Sequence, residues 1–421
     1  MYDIIIVGAG IAGLYAAHKI QILDHTKKIL VLEQSPKEGL GGRARNKPFQ
    51  GASVAIGAGV GRLEKDRCLY RLLQEFEIPT HTFPAKAQYA VTTTTHDGPC
   101  NVKQMFSEIR RQYNSKSHPP LTFREFAEPL LGKDLYRQFT TCAGYTDYEN
   151  EDVQNTLYNY GFEDNYEEWT GFSVPWSTLV QAIVTKIKSA GCEIRTSCAV
   201  SKIRPIQQSS ICGFDVLVQT GRIYQSKQVI MATTIESVLH LVPGALDKTS
   251  PYRDIHGQAF MRIYGRFSKA CIPIVRNQIQ TQTIVPGPLH KLIPIQPEKG
   301  IYMIAYTDNE GAKTIRNYGE NTAKNREALC RLLERALGLS RGTLELVAIQ
   351  GWFWSIGTHY YAPLQPPYRN RTEFIRHVQR PLPNMAVVGE MVARNQGWVE
   401  GALESVDAVV TAGWINGRNK T

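Results

Sequence analysis

The sequence lacks the features that mark several classes of protein. It has no run of 18 apolar residues, so it predicts no membrane-spanning helix. The N-terminal Met-Tyr-Asp-Ile-Ile-Ile-Val-Gly has no basic segment of the kind that begins a secretory signal. No internal repeat of about 20 to 50 residues is present. We therefore expect a cytoplasmic globular protein rather than a secreted, membrane or solenoid protein.

Cysteine spacing excludes the common cysteine-based sites. No Cys-x-x-Cys pair occurs, and this spacing is typical of zinc sites and thioredoxin-like motifs. The eight cysteines are spread along the chain, at Cys68, Cys100, Cys142, Cys192, Cys198, Cys212, Cys271 and Cys330. We expect no metal site, and we expect free thiols in a reducing compartment.

Charge is not concentrated in any segment. Lys and Arg total 48 against 38 Asp and Glu, which gives a formal net charge of +10. The dense basic pairs, at 27–28 and 110–111, have no interleaved nucleic-acid-binding signature. We expect no specific nucleic-acid site. The 421 residues, 43% of them hydrophobic, are enough for two or three folded domains.

The first motif is a strand, a glycine turn and a helix near the N-terminus. Residues 4–7 are an apolar, β-branched run, and residues 8–13 read Gly-Ala-Gly-Ile-Ala-Gly. Helix-forming residues follow, and a second β-rich run at 29–32 ends at Glu33. This order predicts a β-α-β unit that carries a dinucleotide fingerprint.

Each residue type in this fingerprint has a physical reason. Gly8 permits a tight turn, Gly10 lets backbone amides approach a pyrophosphate, and Gly13 lets helix and strand pack closely. Glu33 is placed to accept hydrogen bonds from ribose hydroxyls, and a carboxylate there argues against a 2'-phosphate. The residues that we expect to contact the dinucleotide here are Gly8, Gly10, Ile11, Ala12, Gly13, Glu33 and Gln34.

Two further motifs follow the dinucleotide fingerprint. Residues 40–45 read Leu-Gly-Gly-Arg-Ala-Arg, and residues 51–59 follow as a strand-like segment that ends in Gly-Ala-Gly. Near the C-terminus, residues 385–390 read Met-Ala-Val-Val-Gly-Glu, and residues 396–405 read Gln-Gly-Trp-Val-Glu-Gly-Ala-Leu-Glu-Ser. Together these segments resemble the flavin-dependent amine oxidase family, which includes monoamine, polyamine and L-amino acid oxidases.

The resemblance implies a set of FAD contacts. Gly42 and Arg43 would address the phosphates, Val200 would bind adenine through its backbone, and Glu390 would lie beneath the ribityl chain. A helix beginning near Val399 would direct its N-terminal amides at the flavin, where its dipole stabilises negative charge. The positions implied are Gly41, Gly42, Arg43, Gly57, Ala58, Val60, Val200, Gly389, Glu390, Gly397, Trp398, Val399 and Ala402.

The fold class predicted is α/β. Because the motifs lie at both ends of the chain, a Rossmann-like FAD-binding or NAD(P)-binding domain is expected to be discontinuous, at 1–83, 190–250 and 380–416. An α+β substrate-binding domain would occupy 84–189 and 251–379.

The resemblance also implies an aromatic pair that aligns an amine at the flavin. Trp398 would supply one ring, and either His359 or Tyr360 would supply the other. For Trp352 and Trp354, core packing is the better prediction.

Two positions depart from the family pattern. Thr358 stands nearest the position at which some members attach FAD through cysteine, so we predict non-covalent FAD. Counting back from Phe267 places Gln258 where many members carry a lysine that holds a water at flavin N5. A neutral amide there supplies no positive charge. Arg262 shares one strand face with Gln258 by period two, but we expect a surface side chain.

Three functions stay open from the sequence. The first is an oxidase of a small amine that uses O2 and releases H2O2, and the second is a dehydrogenase or desaturase with another electron acceptor. The third is an inactive FAD-binding protein. For the substrate, the acidic residues 163–168 suggest a polyamine, whereas an arginine such as Arg62 suggests an amino-acid carboxylate.

Overall fold

A computed structural model describes residues 1–93, 100–114, 119–160, 169–208 and 211–417. The strands are β1 (Tyr2–Val7), β2 (Ile29–Leu32), β3 (Asn46–Phe49), β4 (Ala52–Ala55), β5 (Gly61–Arg62), β6 (Thr82–Ala85), β7 (Ala87–Tyr89), β8 (Trp169–Phe172), β9 (Glu193–Arg195), β10 (Val200–Gln208), β11 (Ile211–Val218), β12 (Ile223–Met231), β13 (Ile255–Phe267), β14 (Gln282–Ile284), β15 (Lys291–Gln296), β16 (Ile301–Asp308), β17 (Leu346–Tyr361) and β18 (Met385–Val387). The helices are α1 (Ile11–Leu23), α2 (Arg67–Glu75), α3 (Val102–Gln112), α4 (Phe123–Leu131), α5 (Lys133–Ala143), α6 (Val153–Asn159), α7 (Trp176–Ser189), α8 (Ile235–Leu241), α9 (Ile272–Gln278), α10 (Asn309–Ile315), α11 (Ala323–Leu337), α12 (Arg371–Val378), α13 (Val399–Val409) and α14 (Ala412–Ile415).

The first sheet carries the β-α-β unit predicted from the N-terminal motif. Its strand order is β10-β11-β12-β1-β2-β9, with β18 paired to β12. Strands β1, β2, β9, β12 and β18 pair in parallel, as a strand-helix-strand connection requires. Because helices cover both faces, Ile4, Ile5 and Ile6 are all fully buried, which explains the continuous apolar run.

Helices pack on each face of this sheet. On one face, α1 packs against both α7 and α13, and all three bury apolar residues in one core. On the other face, α8 and α12 pack over β11, β12 and β18. We assigned α7 to the substrate domain, but its buried residues Leu179, Val180 and Ile183 pack with α1 in the core of the first sheet. The other predicted domain boundaries stay predictions.

The second sheet forms the opposite side of the molecule. Its order is β17-β13-β16-β15-β14-β7, and the long antiparallel pair of β13 and β17 runs along its edge. The register of this pair shifts between Gln258 and Phe260. Helices α9, α10 and α11 bury the face of the sheet that contains Met261 and Ile263.

Helices α3, α4, α5 and α6 form a separate apolar cluster beside the second sheet. A disulfide joins Cys100, just before α3, to Cys142 in α5. Our prediction that the cysteines are free is therefore wrong for this pair. The two residues are 42 positions apart in the sequence, and only the packing of α3 against α5 brings them together.

No helix in the described ranges combines the length and the apolar composition that crossing a membrane requires.

Candidate functional site

A cavity of about 1450 Å³ lies between the two sheets. It runs from the carboxyl ends of β1 and β2 to the strands β13, β15 and β17 of the second sheet. Its walls include every residue predicted to bind the cofactor except Gly13. The volume exceeds the 300–1,000 Å³ common for a single small ligand, so the cavity has room for a dinucleotide and a second molecule.

The glycine turn before α1 is shaped by backbone contact. Gly8 has φ of +104°, a conformation that other residues rarely adopt. A Cβ on Gly13 would lie 2.0 Å from the carbonyl oxygen of Gly8. Gly13 therefore supports the turn from behind, which explains its absence from the cavity wall. A Cβ on Gly10 would meet no atom within 4 Å, because this position faces the open cavity.

The loop at residues 40–45 crosses the glycine turn at residues 8–13 at the start of α1. The amide of Gly41 donates to the Ala9 carbonyl at 2.9 Å, and Gly10 and Gly41 form an isolated parallel bridge. Helix α1 has no side-chain cap at Gly10, so its first backbone amides are not used by a capping side chain. Together the two loops form a cradle of backbone atoms at a helix N-terminus, a typical anion site.

Glu33 lies at the end of β2 and is buried against the same turn. Its carboxylate accepts hydrogen bonds from the amides of Ala9 and Ser35, each at 2.8 Å. Two of its lone-pair positions are thus used, and a carboxylate has about four. The Cys198 amide donates to the Glu33 carbonyl, which places the start of β10 and Val200 beside this end of the cavity.

Glu390 is the centre of a buried polar network in the third motif. One carboxylate oxygen accepts from the amides of His359 and Gly397, at 2.8 and 2.9 Å. The other lies 2.7 Å from His359 Nδ1 and 3.5 Å from Arg43 Nη1. Burial opposes ionisation of Glu390, but His359, Arg43 and the Gly397 amide outweigh it and hold its pKa at about 2.

Arg43 connects the second motif to the second sheet. Its guanidinium donates to the carbonyl of Gly357 in β17 at 2.6 Å and lies close to Glu390. Its side chain also lines the cavity. The structure therefore places Arg43 where its own loop, strand β17 and the loop of Glu390 meet. The contact of Arg43 with phosphate stays a prediction.

Helix α13 begins at Val399, as predicted, with its first turn on the cavity wall. Trp398 precedes it and supplies no side-chain cap. Glu400 points away to α2, where its carboxylate accepts from the amides of Cys68 and Leu69 at 2.7 and 2.9 Å. The acid of this motif therefore binds the N-terminus of α2.

Three buried polar atoms of residues in the cavity wall have no hydrogen-bond partner in the described part of the chain. They are Nε1 of Trp398, Oγ1 of Thr358 and Oε1 of Gln396. Buried polar groups usually have partners. A ligand with hydrogen-bonding atoms along this wall would supply the missing partners, so these residues fit a polar heterocyclic group such as a flavin.

The aromatic pair expected around Trp398 is not formed by His359 or Tyr360. The amide of Ile235 donates to Nε2 of His359, so His359 faces α8 and Glu390. Tyr360 packs against His256. Neither residue lines the cavity. The prediction that one of them faces Trp398 is wrong: strand alternation turns His359 away from the wall that Thr358 forms, and the ring of Tyr360 packs on His256 instead.

Trp398 and Trp354 are the tryptophans of these motifs that line the cavity. The ring of Trp398 packs edge-on against Trp176, 6.0 Å between centroids. Trp354 donates from Nε1 to the Ile56 carbonyl at 2.7 Å. Core packing is thus the wrong prediction for Trp354. Trp352 does pack against a core cluster, where its ring contacts Tyr264.

The structure separates Gln258 from Arg262. Gln258 is buried behind the cavity wall and donates to the Asp147 carbonyl at 3.0 Å. Arg262, four residues later, is 5% exposed and lines the cavity. The prediction of a surface Arg262 is wrong, because the register shift after Gln258 and the packing of Tyr306 over the guanidinium enclose it. The N5-side role of Gln258 stays a prediction.

The two suggested substrate determinants fare differently. Arg62 lines the cavity, but it is paired with Asp66 at 3.2 Å. The acidic residues 163–168 lie outside the described residues.

The sequence did not predict a cluster of polar side chains in the part of the cavity wall that faces the second sheet and the helical cluster. These side chains come from segments without a motif and are Tyr145, Asp147, Tyr160, Lys291 and Tyr306. The signal that was present is the alternation of β13, which puts Arg262 on the face of Phe260 and Tyr264, both cavity residues.

The family model that matches the sequence describes an NAD(P)-binding Rossmann-like domain and covers residues 6–76. A comparison with curated proteins finds no match.

Among solved structures, similar ones include a double mutant and a triple mutant of putrescine oxidase with redesigned cofactor binding. Each has 14% sequence identity and a TM-score of 0.72, and the alignment covers 99% of both chains. At this identity the likeness concerns the fold. The chain therefore carries a Rossmann-like dinucleotide-binding segment within the fold of putrescine oxidase, over nearly its whole length.

Proposed function

We propose that this protein is an FAD-dependent oxidoreductase of the amine oxidase type, which oxidises the C–N bond of a small amine. What supports the proposal is the single cavity to which all three sequence motifs contribute. The motifs lie at 8–13, 41–43 and 389–402, and their residues form one continuous wall.

The residues fit FAD along the length of this wall. The crossed glycine loops and the free amides of α1 would hold the pyrophosphate. Glu33 and the backbone near Val200 would hold the adenosine. The unpartnered Trp398 and Thr358 atoms and the first turn of α13 would face the flavin ring. Thr358 offers no thiol for covalent attachment, so we propose that FAD is bound non-covalently.

The protein's own residues orient and protect the reaction. FAD, when bound, supplies the acceptor for the hydrogen that leaves the carbon bearing the nitrogen. The N-terminus of α13 places a positive dipole end at the cavity wall. Trp354 in the second sheet and Trp398, which packs on the core of the first sheet, provide aromatic surfaces of the cavity. The proposal also includes reoxidation of the reduced FAD by O2, with release of H2O2.

The test begins with the purified protein and its ultraviolet-visible spectrum. We expect a flavin spectrum, or uptake of added FAD, and anaerobic loss of the flavin absorbance with at least one compound from a panel of monoamines, polyamines and L-amino acids. In air, the same compound should release peroxide.

The outcomes separate the candidate functions. Bleaching without peroxide would indicate a dehydrogenase with another acceptor. Flavin binding without bleaching by any compound would indicate an inactive FAD-binding protein. A protein that neither carries nor takes up FAD would contradict the whole proposal.

A further inference from the structure

Arg262 places a permanent positive charge inside the cavity. Its guanidinium is buried, and its carbon lies 4.5 Å from the ring centroid of Tyr306. Nη1 is 3.4 Å from the Ala55 carbonyl, and the guanidinium also interacts with the hydroxyls of Tyr264 and Tyr306. Among the residues that the structure describes, no carboxylate pairs with it. A guanidinium has five N–H donors, so these contacts leave donors for a ligand.

Lys291 adds a second basic side chain to the same wall. It begins β15 and is 2% exposed. Its Nζ lies over the ring of Tyr145, 2.8 Å from the centroid, and 6.0 Å from the centroid of Tyr306. Burial lowers the pKa of Lys291 well below its usual value, and Asp308 and Asp147 oppose this effect only in part. Tyr306 therefore contacts both basic side chains.

The carboxylates near these groups are already in use. Asp147 accepts a hydrogen bond from the Tyr160 hydroxyl. Burial and the Asp308 charge raise the pKa of Asp147 well above its usual value. Asp308 accepts from the amide and hydroxyl of Thr146.

The carboxylates elsewhere in the cavity wall have partners as well. Glu390 binds His359, Glu400 binds the N-terminus of α2, and Asp66 binds Arg62. Glu33 accepts from the amides of Ala9 and Ser35, and Glu404 accepts from the Asn395 side chain. The described wall therefore offers a ligand an unpaired guanidinium and no free carboxylate on the substrate side. A diamine would bring two positive charges to this wall, whereas an amino acid would bring a negative one to match Arg262.

We propose that the substrate carries a carboxylate beside its amine, and that Arg262 binds this carboxylate with Lys291 as the second basic group. The substrate class is thus an amino acid rather than a diamine or polyamine. This inference rests on the proposed function, since it names the substrate of the same cavity.

The first test compares amino acids with the amines that differ from them only by loss of the carboxylate. Suitable pairs are L-ornithine with putrescine and L-phenylalanine with phenethylamine. In anaerobic flavin reduction we expect the amino acid of at least one pair to have the lower KM, by roughly 10- to 100-fold, the range for a hydrogen-bonded charge. A lower KM for the amine in every pair would overturn the inference and leave the proposed function intact.

Variants on β13 assign the effect to one side chain. Arg262→Met should raise KM for the amino acid but not for the amine, and so abolish the preference. Arg262→Lys should restore part of it. Arg266→Met is the matched control, because Arg266 lies on the same strand, contacts Gln50 at the surface and is outside the cavity wall. If Arg262→Met and Arg266→Met behave alike, Arg262 does not bind the carboxylate.

A titration that needs no turnover completes the design. Benzoate added to the FAD-loaded protein should shift the flavin absorbance, and benzyl alcohol should not. The benzoate shift should be lost in Arg262→Met and kept in Arg266→Met. Should no compound reduce the flavin, an Arg262-dependent benzoate shift would still support the carboxylate site while the proposed activity failed. If benzoate binding is equal in wild type and Arg262→Met, the carboxylate site is refuted.

Discussion

Replacing Glu390 with glutamine tests the network that joins the second and third motifs. Glutamine keeps the shape and one oxygen acceptor for the amides of His359 and Gly397, but it removes the charge. The pKa of Glu390 is about 2, against an ordinary value of 4.5. Because one pKa unit corresponds to about 1.4 kcal/mol, the ionised carboxylate contributes about 3 kcal/mol to the free energy of unfolding at neutral pH.

The sign of the pH dependence follows from the direction of this shift. The folded protein holds the pKa below its unfolded value, so the contribution is fully present above about pH 4.5 and is lost as pH falls toward about 2. The stability difference between wild type and Glu390→Gln should be about 3 kcal/mol at pH 7.5. It should narrow to about 2 kcal/mol at pH 3.5.

Urea unfolding followed by tryptophan fluorescence measures this difference at both pH values. The control is Glu310→Gln, since Glu310 pairs with Lys313 on the exposed surface, where an ion pair is worth at most about 1 kcal/mol. A loss below about 1 kcal/mol for Glu390→Gln, or a loss that does not depend on pH, would refute the reasoning.

Three further predictions address the cofactor and the disulfide. Gly10→Val should leave the free energy of unfolding of the apoprotein within about 1 kcal/mol of the wild-type value. It should abolish the thermal shift caused by FAD, because the valine side chain would project into the cavity, where a Cβ meets no atom. An FAD-induced thermal shift equal to that of wild type would contradict the proposal that the glycine loops hold the pyrophosphate. Acid precipitation should leave the yellow colour in the supernatant, as Thr358 implies, and colour in the pellet would mean covalent attachment. Replacing Cys100 and Cys142 together with serine should lower the free energy of unfolding by about 4 kcal/mol, from the loop that the bond closes; equal urea midpoints would contradict this.

The dinucleotide end of the site was predictable because local backbone geometry specifies it. The turn at Gly8 needs a positive φ, and Gly13 needs close contact between helix and strand, so few residue types fit these positions. Glu33 was predicted from its place at the end of the second strand of the β-α-β unit, and the start of α13 near Val399 from the family resemblance. These features depend on short-range sterics and hydrogen bonds, which a sequence motif records directly.

The substrate end was not predictable in the same way. The spacing to Phe267 pointed to Gln258, but the charged side chain that reaches the cavity from this strand is Arg262. Either His359 or Tyr360 was expected to face Trp398, but His359 contacts Glu390 and Tyr360 packs against His256. Strand alternation fixes which residues share a face, but a register shift and the neighbouring sheet decide which face meets the cavity.

The sequence by itself therefore determined the fold class, the parallel sheet and the glycine cradle, because each depends on residues close together in the chain. Only the tertiary structure decided that Arg262, Lys291 and Asp147 share one cavity, and that Cys100 bonds to Cys142. Burial of a charge and the meeting of distant side chains depend on how two sheets and a helical cluster pack. That packing is set by the whole core, and no short stretch of sequence records it.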